Sequence, residues 1–399
     1  MATNIATLRD GSGALVRDKR HAVSPGLWVL AWRRLTSDMV GMVGLAIVAA
    51  FIVMMILSGV GLLAKDWNRE VGVNYAPPSF VDSEAATTAT QQVHPGAETA
   101  PAGSEYQSTI VDPIGDVIER LKSGKGESQP AAGQPATSDE KSVDPLADVM
   151  ADIRAGKGVG AAVKAEERKA TLPFGGDKWG RDVLKKTIKG SETSIFVGLA
   201  SAALATFLGT LFGALAGYYG KWIDDFFNWF YSVFSSIPYL LLILAVAAVL
   251  QQKGMLTIIL ILGLTGWTGV FRLIRAEYLK HKSREYVQAA DAIGASNGRR
   301  MFIHIFPNVS HVVLVQLSIL VVAFIKSEVI LSFLGFGVPV DVVSWGSMLN
   351  EAQNELILGK WWQLVAATIA MATLVTAFSL FTDALRDALD PKLKGRLGA

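Results

Sequence analysis

Ser283-Arg-Glu-Tyr-Val-Gln-Ala-Ala-Asp-Ala-Ile-Gly-Ala-Ser-Asn-Gly-Arg-Arg-Met-Phe-Ile-His-Ile-Phe-Pro-Asn308 is a polar stretch between two long apolar ones, and its punctuation predicts a pair of short helices. Ser283 is placed to cap the first, Gly294 through Gly298 breaks the chain, and Arg299 to Phe306 forms the second before Pro307. The product is an amphipathic hairpin that carries the small residues Ala289 and Ala290 on its surface, where a partner can approach closely. A segment meant only to join neighbouring helices would be shorter.

The apolar flanks set the environment. About half of the 399 residues are hydrophobic (51%) and only 18% are charged, too apolar for an ordinary soluble chain of this size. A bilayer core of about 30 Å takes roughly 20 apolar residues in helical form. Six stretches qualify: Val40–Leu63, Ser194–Gly217, Phe230–Leu250, Leu256–Phe271, Val312–Leu334 and Leu364–Phe381. The expected fold is therefore an all-α membrane protein of six transmembrane helices.

With the N-terminus inside, residues 1–38, 218–229, 272–311 and 383–399 are cytoplasmic, and the hairpin lies in the third of these. The inverse arrangement would put Arg272, Arg275, Lys280, Lys282, Arg284, Arg299 and Arg300 outside, against the positive-inside bias. Residues 1–38 carry Arg9, Arg17, Lys19, Arg20, Arg33 and Arg34 ahead of any apolar run, unlike a cleaved signal peptide. The absence of cysteine excludes disulfides and thiolate chemistry but leaves the compartment open.

Within the second span, Ser201, Ala205, Gly209, Gly213 and Gly217 repeat at four-residue spacing and predict a groove for close helix packing. Pro238 predicts a kink early in the third.

The organisation expected is a segment 1–38, a first span 39–64, an outer loop 65–193, a five-helix core 194–382 holding the coupling loop 272–311, and a tail 383–399. The outer loop is a large insertion between the first two helices. It holds nine of the fourteen prolines, from Pro77 to Pro173, and much of it reads as linker. Residues 111–126 and 143–158 nevertheless resemble one another. Asp112-Pro113 to Gly124 and Asp144-Pro145 to Gly156 each read as a short helix, 112–124 and 144–156, with a narrow apolar stripe. Docking on the outer mouth or on a delivering protein, and transient helices in a spacer, are both open readings.

At Gln288-Ala289-Ala290, Gly294 and His304-Ile305-Phe306-Pro307 the chain resembles the permeases of binding-protein-dependent ATP-binding-cassette importers. Their signature is Glu-Ala-Ala, three residues, Gly, nine residues, then a short run ending in Leu-Pro. Gln288 stands for Glu and Phe306 for Leu, and Glu285 offers a substitute charge one turn earlier. Phe174-Gly-Gly-Asp-Lys-Trp-Gly-Arg-Asp-Val183, Leu331–Pro339, Ser344–Leu349 and Ala384–Pro391 are similar to blocks of the dipeptide, oligopeptide and nickel permeases, second permease type. Gly176 stands where Thr is usual. The resemblance covers the first span and about residues 172–395, not the insertion.

It implies the type I importer permease fold and a heterodimer with a second, related permease. It also implies two cytoplasmic ATPases that bind ATP and Mg, an extracytoplasmic substrate-binding protein, a peptide cargo, and multi-pass residence in the cytoplasmic membrane with both termini inside. The coupling residues it implies are Glu285, Gln288, Ala289, Ala290, Gly294, Arg299 and Pro307, within the loop 283–308. Helix packing falls to Gly209, Gly213 and Gly217.

Other classes fit poorly. Each Gly-Lys pair is followed by Gly or Trp where a phosphate loop needs Ser or Thr, so the chain is not expected to hydrolyse ATP or to bind a cofactor itself. The five His residues form no His-Glu-x-x-His, so no metal site is expected, and nothing points to nucleic acid. Nickel or another small solute remains open as cargo, and so does an ion-coupled secondary transporter, for which the intramembrane charges Lys326 and Glu328 are the clue. These two either line the path and meet peptide termini, or anchor at the interface and pair with a partner permease.

Overall fold

The computed structural model describes residues 27–81 and 168–389. Two compact units divide the chain, Met1–Ala86 with Lys169–Ala399, and Thr87–Arg168; the architecture below is that of the first. The repeated segments 112–124 and 144–156, the basic residues before Leu27 and the tail beyond Leu389 lie outside the described residues.

The described residues are helical, with no strand beyond isolated bridges. The helices are α1 (Leu27–Ser37), α2 (Met39–Gly59), α3 (Val183–Tyr219), α4 (Lys221–Ser235), α5 (Tyr239–Leu250), α6 (Met255–Thr265), α7 (Thr268–Lys282), α8 (Glu285–Ala292), α9 (Asn297–Phe333), α10 (Trp345–Ile357) and α11 (Trp362–Leu389). Four of them, α2, α3, α9 and α11, are long and apolar enough to cross a membrane. Two further pairs reach that length only when joined across a bend, α4 with α5 at 85° and α6 with α7 at 41°.

The third apolar stretch, Phe230–Leu250, is thus not one gently kinked helix. Pro238 supplies no N–H and its ring crowds the preceding turn, so α4 stops at Ser235 and α5 restarts at Tyr239. α4 is held against α3 and the start of α7 by aromatic contact. Phe227 stacks on Phe212 at 4.9 Å between ring centres and Phe230 on Trp267 at 5.3 Å. The Arg275 guanidinium grips both carboxylate oxygens of Asp224, at 2.5 and 2.6 Å.

α3 is the central helix and starts earlier than its apolar run. Asp182 caps it, accepting the N–H of Leu184 at 2.8 Å. Its first turns are tolerated in the bundle because each charge is matched: Lys185 by Asp66 at 2.6 Å, Lys189 by Glu192 at 2.7 Å, and Glu192 also by the Ser58 hydroxyl at 2.6 Å. Residues 183–193, expected in the outer loop, are therefore helix.

The row of small residues on α3 lies against α7. Ser201 and Ala205 are fully buried, and α7 lies so close that a Cβ added at Gly209, Gly213 or Gly217 would come within 2.7, 2.8 and 2.6 Å of the carbonyl oxygens of Trp267, Phe271 and Arg275. Backbone-to-backbone contact of this kind packs helices where lipid offers no hydrophobic drive.

At one end of the bundle the chain forms a closed stem. Residues 70–79 run beside 169–182, with Gly72 N–H donating to Gly180 O at 2.9 Å and Ser79 N–H to Leu172 O at 2.9 Å. Gly180 has φ +76°, and a side chain there would run into the Gly72 carbonyl. The α8 hairpin lies at the opposite end.

Candidate functional site

Two polar constructions stand out, one at each end of the bundle. The first is the hairpin. Its frame differs from the sequence expectation in three ways. Ser283 closes α7, its hydroxyl donating to Lys280 O at 3.1 Å, and Arg284 precedes α8 in the cap position. Ala290 is buried at 4% exposure, next to Val287 at 3%, so it packs inward and only Ala289 is presented on the surface. Pro307 does not end the second helix: Asn297–Phe333 is continuous, and the turn before the proline is wound as a π-helix over Arg300–Ile305. The wider turn relieves the clash between the proline ring and the preceding carbonyls, and Pro307 falls in the first turn of the α-helical part that follows, where no N–H is missed.

Polar contacts fix the hairpin on the bundle. Tyr218, at the end of α3, donates its hydroxyl to Asn297 Oδ1 at 3.0 Å; Arg300 donates to the same oxygen at 2.6 Å and pairs with Asp291 at 2.5 Å. Lys282 Nζ donates to Tyr218 O at 2.6 Å. Ser296 caps the second helix, and Gly294, at φ +80°, turns the chain between the two. A buried cluster of Tyr218, Ile274, Tyr278, Val287, Met301 and Ile305 lies beneath. Above it, Glu285, Gln288, Ala289, Gly294, Arg299 and Pro307 are all exposed, along with the large apolar residues Ile293 (84%), Phe302 (53%) and Ile303 (60%). Gln288 spends its amide within the hairpin, donating to Ser283 O at 3.3 Å.

The second construction closes the stem end, and its members Lys186, Glu351 and Gln363 carried no local signal in the sequence. Lys186 of α3 is buried and bonds Asp177 at 2.8 Å, Glu351 of α10 at 2.5 Å and Gln363 of α11 at 3.3 Å. The other Asp177 oxygen accepts the N–H groups of Trp179 and Arg181 at 2.9 and 3.0 Å, which folds the Phe174–Val183 segment into a tight turn. Trp362 Nε1 donates to Gly176 O at 2.7 Å. Glu355 of α10 accepts the Lys178 N–H at 3.3 Å, and its second oxygen has no hydrogen-bond partner among the described residues. Burial pushes the Glu355 carboxyl up to about 7, the nearby Lys186 cation opposing the rise.

The intramembrane pair separates. Lys326 is exposed on α9, whereas Glu328 is fully buried inside the chain, bonded by the Ser332 hydroxyl at 2.7 Å with Ser194 and Ser344 alongside. Glu328 thus does not line a path out of this chain: on a helix, two residues apart is opposite faces, and its face is the packed one. Among the described residues no group of three or more His, Asp or Glu is placed to hold a metal.

Four helices are long and apolar enough to cross a membrane, up to six if each bent pair is one span, and an exposed helical hairpin stands at one end of them. Residues 209–395 match the family model of the binding-protein-dependent transport system inner membrane component, and residues 26–78 match the N-terminal TM domain of oligopeptide transport permease C. The dipeptide transport system permease protein DppC of Bacillus subtilis is 38% identical over 221 residues, 55% of this chain and 69% of that protein. The oligopeptide transport system permease protein OppC of the same organism is 36% identical over 221 residues, 55% and 72% of the two chains, and OppC of Haemophilus influenzae 35% over 219 residues, 55% and 70%. The chain belongs to the family of binding-protein-dependent transport system inner membrane components.

Proposed function

We propose that this chain is the membrane-spanning permease subunit of an ATP-binding-cassette importer that carries di- or oligopeptides across the cytoplasmic membrane. Relatives named for dipeptide and oligopeptide transport support the cargo. Counting each bent pair as one span gives six transmembrane helices, with both termini and the hairpin in the cytoplasm, as the positive-inside bias favours. The stem then faces outward, toward a substrate-binding protein.

The observation that carries the reading is the exposed apolar rim of the hairpin, Ile293 and Ile303, on a base clamped by Tyr218, Asn297, Arg300 and Asp291. Exposed apolar side chains on a rigid polar frame suit a protein groove. The loop 283–308 docks in a partner ATPase, which binds ATP and Mg and hydrolyses it; Glu285, Gln288, Ala289, Gly294, Arg299 and Pro307 face that partner, and Ala290 supports them from beneath. Closure of the two ATPases draws this hairpin and that of a second permease together, and the pair switches between inward- and outward-facing states.

The test is pull-down of tagged chain from detergent-solubilised membranes, wild type against Gly294→Trp and Ile293→Asp. No neighbouring atom lies within 4 Å of a Cβ at Gly294, but its φ of +80° strains any side chain there, so Ile293→Asp, which asks nothing new of the backbone, is the deciding variant. Recovery of a second permease and active ATPases with wild type, lost in both variants, is expected. A wild-type chain that comes out alone and drives uptake from an ion gradient would sink the reading.

A further inference from the structure

Between α9 and α11 lies a cavity of about 220 Å³, lined by Val322, Ala323 and Lys326 of the first helix and Ser379, Thr382 and Asp383 of the second. Three of its polar groups are unspent. Lys326 and Asp383 are exposed, and neither makes an ion pair or hydrogen bond with another described residue. Thr382 is 5% exposed, yet its hydroxyl has no hydrogen-bond partner among the described residues. Nothing among the described residues accounts for a cation, an anion and an orphan hydroxyl around one cavity.

Apolar lipid tails would satisfy neither charge. Lys326 stands within an apolar membrane-length helix, and a charged group at that depth is retained only where it meets water, a counter-charge or a ligand. A ligand that satisfies all three groups carries a carboxylate for Lys326, an ammonium for Asp383 and an amide or carbonyl for Thr382. A bare cation or anion would satisfy one charge and leave the other worse off.

We infer that this cavity is a subsite for the charged termini of a short peptide in transit, with Lys326 receiving the C-terminal carboxylate, Asp383 the N-terminal ammonium and Thr382 the intervening amide. The inference rests on the peptide-importer reading and adds a specificity to it: the pore itself discriminates free-ended peptides, beyond whatever a binding protein selects.

The experiment uses the complete transporter in proteoliposomes with its binding protein, and measures uptake of labelled Ala-Ala, N-acetyl-Ala-Ala and Ala-Ala-amide, alongside co-purification of all subunits. Lys326→Gln is expected to cut the preference for Ala-Ala over its amide about tenfold while leaving the preference over the acetylated peptide unchanged. Asp383→Asn is expected to do the reverse, and Lys326→Arg and Asp383→Glu to retain both preferences. Uniform loss of uptake with both preferences intact overturns the subsite, as does loss of subunit co-purification in Lys326→Gln and Asp383→Asn, which would make the charges interface pairs. Wild-type transporter that takes up no peptide overturns the cargo reading and the subsite with it, a result distinguishable from the others before any variant is made.

Discussion

Lys186 Nζ lies 2.8 Å from Asp177 Oδ2, and the two side chains are 2% and 0% exposed. Removing one member of such a pair is far worse than never having had it, because the remaining charge is stranded. Lys186→Met is expected to lower stability by about 3–5 kcal/mol, and Asp177→Asn by less, since Glu351 still holds the lysine. Thermal unfolding of the detergent-solubilised transporter checks the order; equal losses would contradict it.

Glu355 gives the stem a pH dependence of known sign. Its carboxyl is raised to about 7 in the fold from an ordinary 4.5, so between those values the folded chain holds a proton that the unfolded chain does not. Stability therefore falls as pH rises through that window, with the full penalty, on the order of 3 kcal/mol, present above pH 7. Glu355→Gln is expected to abolish this slope and to gain most at pH 8. Unfolding midpoints of both proteins at pH 5 and pH 8 decide the matter.

The row Gly209, Gly213, Gly217 is expected to tolerate no side chain. Gly213→Leu drives atoms into the Phe271 carbonyl and the Arg275 N–H, backbone that cannot step aside, and should cost at least ~3 kcal/mol and most of the folded yield. Gly269→Ala on α7, with nothing within 4 Å, should be neutral or slightly stabilising. Size-exclusion profiles of the two variants form the comparison.

At the hairpin, Gly294→Ala asks for a left-handed alanine and is expected to cost about 1–2 kcal/mol locally, whereas Gly298→Ala, equally open and in helical backbone, should cost nothing. Faster amide exchange over 283–299 in the first variant alone is the expected result. Similar exchange in both would show that the turn is not conformationally demanding.

The apolar helices and the hairpin were legible because their signals are local: uncharged runs, four-residue spacing of small side chains, a glycine break. The start of α3 was not, because Lys185, Lys186, Lys189 and Glu192 disqualify those turns on hydropathy, and the partners of the first two lie far off in sequence, at Asp66 and Glu351. The same distance hid the lock around Lys186. Glu328 had one readable clue, Ser332 one turn ahead, but its burial depends on Ser194 and Ser344, which only the fold brings near. Pro238 announced a bend without its size, which is set by the aromatic bed under α4. Pro307 misled, since a π turn absorbs the proline that ordinarily marks a helix boundary.

The 37 residues of α9 make one rod about 55 Å long, from the hairpin at its foot to the neighbourhood of the Lys186 lock at its head. A tilt of roughly 5° at the foot carries the head sideways by about 5 Å, nearly the pitch of a helical turn. The π turn over Arg300–Ile305 lies near the foot of that rod, and the shaft above it, Phe306–Phe333, is uninterrupted α-helix. On the importer function proposed above, one continuous helix thereby links the ATPase-docking end of the chain to the stem end.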